Sequence, residues 1–120
     1  MTDLVDEARR LLDDAPAGTV SAWPRAAAVL ARQRLEQALE TFWKARVPDM
    51  AYVRNTRAQI SCLVAYVDDH RLIADLDYTW QALTRATHHH PYELDPTREE
   101  LASLMTATRR VTDQLAALTP

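Results

Sequence analysis

Glycine occurs once, at Gly18, and no cluster of β-branched residues stands between turn residues. Both absences withdraw support from strands and leave helices as the favoured elements. Cys62 is the only cysteine, so no intramolecular disulfide can form. It lies within an apolar run, where a reduced, buried small hydrophobe is expected, and that state suits the cytoplasm. No apolar run approaches the length of a membrane span, and the start MTDLVDEARR has neither the basic nor the apolar region of a signal peptide. A soluble cytoplasmic chain with no membrane partner is therefore expected. Lysine is nearly missing too, Lys44 being the only one, so the other cations are arginines. Arginine recognises phosphate bidentately, but codon usage in a GC-rich genome produces the same bias.

What is present is ordinary for a globular chain: 120 residues, 48% apolar and 26% charged, enough for one domain with its own core. The formal charge of −3 means that the molecule as a whole does not attract nucleic acid. Phosphate binding would have to come from a local cluster.

The spacing of apolar residues predicts five helices. The first spans about residues 3–14, with Thr2 as cap and Leu4, Ala8, Leu11 and Leu12 on one face. The stretch APAGTVSAW ends it. The second opens at Ser21 or Trp23, takes Pro24 in its first turn and runs to about residue 47, where Pro48 stops it; Leu35, Leu39, Phe42 and Trp43 form its core face. The third fits residues 55–67, with Ile60, Leu63, Val64 and Val67 inward, and Asp68 and Asp69 separate it from the fourth. Leu72, Leu76, Trp80, Leu83 and Thr87 make the fourth amphipathic. Asp95 before Pro96, or Thr97 with Glu100 as a capping box, announces the fifth. Its apolar face carries Leu101, Leu104, Met105, Thr108, Val111, Leu115 and Leu118. Long helices joined by short loops favour an all-α, antiparallel four-helix bundle over residues 22–120. Residues 1–21 are expected to add a packed N-terminal helix and a linker, the alternative being five helices without a distinct core of four.

The stretch RATHHHPY, residues 85–92, concentrates the chemistry. Successive helical residues point about 100° apart, so His88, His89 and His90 cannot converge on one ion. His70 begins the same helix, far along its axis. Neither a metal nor any other cofactor is expected. Arg85, His90 and Tyr92 form the pattern Arg-x4-His-x-Tyr. On an unbroken helix Arg85 and His90 would diverge by about 140°. Pro91 disfavours α conformation at His90 and removes a donor, so the helix ends at or before His90 and the imidazole can turn toward Arg85. Such a pair suits metal-free RNA cleavage: histidine moves protons near neutral pH, and arginine holds charge on the phosphorane. One histidine is poorly placed to serve as both base and acid in one step, so a catalytic motif favours a homodimer.

The helical pattern together with R85-A-T-H-H-H90-P-Y92 resembles the HEPN superfamily, and LTRATHHHPYELDPTREEL resembles an actinobacterial HEPN-like family over roughly residues 22–118. The resemblance implies a dimer whose two motifs face each other and cut RNA without metal. Arg85 would bind phosphate, His90 would transfer protons and Tyr92 would support them. In one toxin group with this motif, that tyrosine can be modified by a cognate antitoxin, so an antitoxin or other protein is an expected partner beside RNA or nucleotide. Active members commonly place a polar residue after the arginine, and this chain has Ala86 there. A non-catalytic HEPN-like module that binds nucleotide, RNA or protein is the alternative expectation.

The same residues have plainer readings. Arg85 can serve as a surface arginine, His88 and His89 as solvated cations near a helix C-terminus, His90 as a cap on a free carbonyl, and Tyr92 as an anchor for the loop. Arg54 with Arg57, and Arg109 with Arg110, can form a basic rim for RNA or simply a solvated helical face. Asp68, Asp69, Asp75 and Asp77 flank His70, but capping explains the first pair. Glu36 and Glu40 share a helix face without a nearby histidine. Trp23, Trp43 and Trp80 are expected as core or interface anchors.

Overall fold

The computed structural model describes residues 3–14, 23–88 and 96–119, and every regular element among them is helical. The elements are α1 (Leu4–Asp14), α2 (Trp23–Arg46), α3 (Thr56–Cys62), α4 (His70–Thr87) and α5 (Arg98–Ala117). Short 3-10 turns lie at Pro48–Tyr52 and Leu63–Ala65. The all-α expectation holds.

Short polar side chains set the helix starts, because the first turn of a helix has backbone N–H groups without intrahelical acceptors. Asp3 Oδ1 accepts from the Val5 N–H at 2.7 Å, so Asp3 tethers the start of α1; the expected cap, Thr2, lies outside the described residues. Asn55 caps α3 through Ala58 N at 3.1 Å, and Asp69 caps α4 through Leu72 N at 3.0 Å. Thr97 caps α5 through Glu100 N at 3.1 Å. Pro24 and Pro48 stand where the sequence places them, inside the first turn of α2 and just beyond its end.

α2 is the central helix and packs against α1, α4 and α5. Its first half presents Ala27, Ala28 and Ala31, which allow close approach, and its second half presents the larger Leu35, Leu39, Phe42 and Trp43, all fully buried. Leu72, Leu76 and Leu83 of α4 join Leu101, Met105, Val111 and Leu115 of α5 in the same cluster. Buried Thr108 and Thr112 satisfy their hydroxyls by bonding back to Leu104 O (2.7 Å) and Arg109 O (3.1 Å). Arg9 reaches Thr106, and Arg109 reaches Asp6, so α1 and α5 run antiparallel. Arg32 meets Thr87 at the end of α4 and Arg46 meets Tyr66, which precedes its start, so α2 and α4 have the same relation.

Several expected positions change. Val5, Ala8 and Leu12 of α1 belong to the common buried cluster. With α1 set against both α2 and α5, Val5 rather than Leu11 completes the inward stripe, and Leu11 is exposed. The expected third helix is shorter than residues 55–67. It gives way at Leu63 to 3-10 winding with three residues per turn, which carries Val64 off the face of Ile60 and into solvent. Cys62 is exposed, not buried, because the inward positions at this step are Ile60 and Leu63. Trp80 is only partly buried, Leu118 lies exposed beyond the end of α5, and the side chain of Trp23 is outside the described residues.

Candidate functional site

α4 ends at Thr87, and three contacts fix that end. Thr87 Oγ1 donates to Thr84 O at 2.7 Å, a local bond that competes with helix continuation. The same hydroxyl accepts from Arg32 Nη1 of α2 at 3.0 Å, and Arg32 Nε lies 3.4 Å from Glu36 Oε1. His88 then leaves the helix with φ −91° and ψ 133°, its N–H donating to Arg85 O at 3.3 Å. The chain has already left helical register three residues before Pro91, consistent with the expected break.

Arg85 sits in the last turn of α4, exposed, with no hydrogen bond or ion pair among the described residues. It lines a groove of about 570 Å³ between α4 and α5. Ala86 and Ala82 form part of the α4 wall, while Glu100, Ser103 and Arg110 stand on α5. Tyr78, 72% exposed, lies on the same groove two turns before Arg85, roughly 10 Å along the helix axis. The Glu100 backbone N–H serves the Thr97 cap while its side chain lines the groove. Two guanidiniums, one carboxylate and an exposed aromatic ring thus border a trough with small-residue walls. Such a set can hold a phosphate fork-wise and stack a planar ring.

The neighbouring arginines of α5 diverge. Arg109 pairs with Asp6 of α1, whereas Arg110 lines the groove and has no partner among the described residues. Of the residues expected in a basic rim, Arg54 lines a different cavity that shares no residue with this groove, and Arg57 is exposed and lines neither. His88 is exposed at the helix end. His89, His90 and Tyr92 lie outside the described residues. Among the described residues no group of His, Cys, Asp or Glu could hold a metal ion, and Asp69 serves as the α4 cap. No described helix is long and apolar enough to cross a membrane.

Tyr78 was not legible as a site residue in the sequence, although a signal existed. It precedes Arg85 by seven residues, which places the two within about 20° on one helical face. Glu100 appeared only as a cap. No family model matches the chain, and neither a curated protein nor a solved structure significantly similar to it was found.

Proposed function

We propose that the chain is a metal-independent endoribonuclease of the HEPN type, working as a cytoplasmic homodimer, with its antiparallel helices forming an HEPN-like four-helix bundle. The observation that carries this reading is Arg85: an exposed, unpartnered guanidinium in the last turn of α4, opening on a groove with Arg110 and Tyr78, just before the chain leaves helical register.

In the proposed reaction Arg85 holds the scissile phosphate of RNA. The 2′-hydroxyl attacks phosphorus as His90 accepts its proton, forming the 2′-O–P bond. The 5′-O–P bond breaks, and the leaving oxygen takes a proton from the same histidine of the second copy. The products are a 2′,3′-cyclic phosphate and a 5′-hydroxyl. Arg85 stabilises the charge that develops on the phosphorane, and Tyr92 supports the pair. Arg110 contacts an adjacent phosphate, and Tyr78 stacks a base.

Cleavage of a mixed, end-labelled RNA pool in excess chelator tests this. Loss of cleavage in a folded His90→Ala protein is the expected result, and undiminished cleavage overturns the assignment. Ala86, which lines the groove where a polar side chain would assist the phosphate, favours a second reading: a non-catalytic module that binds RNA, nucleotide or a protein partner. Saturable binding without turnover separates the two.

A further inference from the structure

A second cavity, about 340 Å³, lies between α2 and the segment that follows it. The α2 wall carries Glu36, Glu40 and Trp43, spaced four and three residues apart and therefore on one side of the helix. Arg54 and Gln59 stand across from them, and Met50 contributes apolar surface. We infer that this cavity binds a small zwitterion of the α-amino-acid class, its ammonium on the glutamate wall and its carboxylate on Arg54.

Three observations carry the inference. First, opposite charges line one cavity without pairing across it: no ion pair joins Arg54 to Glu36 or Glu40. Glu36 engages Arg32 through Oε1 and Glu40 engages Lys44 through Oε1 at 2.8 Å, so each retains a second carboxylate oxygen. The Arg54 guanidinium has no partner among the described residues. A ligand with both charges bridges this gap, whereas a simple anion meets two carboxylates and a simple cation meets Arg54. Second, Trp43 is fully buried, and its indole Nε1–H has no acceptor. A buried donor without a partner is unfavourable, and the wall gains a hydrogen bond if it opens onto a ligand oxygen. Third, Gln59 donates Nε2 to Val53 O, which fixes the amide and leaves Oε1 as an acceptor for an ammonium N–H. The cavity size falls in the range of small-molecule sites. Met50 and Val53 at its edge favour an apolar side chain on the ligand.

Calorimetric titration of the whole chain with each standard free α-amino acid, up to about 10 mM, tests the inference. Saturable binding of at least one apolar amino acid is expected. Its N-acetyl derivative, which lacks the ammonium, and its amide, which lacks the carboxylate, should each bind at least about tenfold more weakly. Arg54→Gln should weaken the free amino acid by a similar factor but leave the amide unchanged, with the melting temperature of the parent. Absence of saturable binding by any free amino acid overturns the inference. So does binding that is indifferent to acetylation, amidation and Arg54→Gln. The cavity and the α4/α5 groove share no residue, so this result is independent of RNA cleavage.

Discussion

Arg109 and Arg110 are neighbours in sequence and opposites in role. Arg109 turns to α1 and pairs with Asp6, near Arg34 paired with Asp3 and Arg9 bonded to Thr106. Arg110, about 100° further round α5, faces the groove with Arg85, and neither has a partner among the described residues. On one side of the molecule arginine ties helices together; on the other it is held in solvent beside an aromatic ring. Exposed ion pairs contribute little stability, yet they use up the charge. The groove has cations with no ion pair among the described residues, which is why the proposed phosphate is assigned to it rather than to the tied face.

This contrast can be broken by substitution. The largest effect is expected for Arg85→Ala, which should lower RNA cleavage by at least about a hundredfold, comparable to the loss of an oriented charge-stabilising donor. Its melting temperature should stay near that of the parent, since Arg85 holds nothing together; comparative melting and end-labelled RNA assays read both. Next, Arg110→Ala should weaken RNA binding across sequences and reduce the slope of log affinity against log salt by about 0.7, the single-strand value for one phosphate. A titration series in salt measures this.

The tied face should respond in the opposite sense. Asp3→Ala removes both a helix-start tether and a 3.0 Å ion pair with Arg34, so stability should fall by about 1 kcal/mol in urea unfolding with cleavage unchanged. Arg109→Ala should cost less, about 0.5 kcal/mol, because that pair is more exposed.

Asp3 also supplies the smallest and most specific effect. Partial burial raises its pKa, but the Val5 N–H and the Arg34 guanidinium outweigh that and hold it below the ordinary 3.8. A carboxylate with a depressed folded pKa contributes stability above its unfolded value and loses it as pH falls through the folded one. The parent should therefore lose more stability than Asp3→Asn on acidification below about pH 4. Parallel acid-dependent stability curves would remove this account of the α1 start.

Where helices begin was readable because the signals are local. Asp69, Asn55 and Thr97 cap where their side chains reach backbone N–H groups three residues on, and Pro24 and Pro48 bracket α2 through their missing donors. The core positions Leu35, Leu39, Phe42 and Trp43 of α2, and Leu101, Met105, Val111 and Leu115 of α5, followed from spacing for the same reason. The 3-10 winding at Leu63 was not readable, and with it went the exposure of Val64 and Cys62. The role of α1 depended on which two helices flank it, a tertiary matter that Leu11 and Val5 could not decide alone. That Arg85 stands at the end of α4 was legible from the nearby Pro91, whereas its sharing a groove with Tyr78 had only a seven-residue spacing to signal it. The cavity facing Glu36 and Glu40 was hidden because its opposite wall comes from residues 50–59, placed by the chain's return past α2.

The most direct test of the central claim is cleavage of an end-labelled RNA pool by the purified chain in excess chelator, with His90→Ala prepared identically. The account predicts fragments ending in 2′,3′-cyclic phosphate from the parent and none from the variant. Intact RNA in both reactions, or equal cleavage in both, would contradict it.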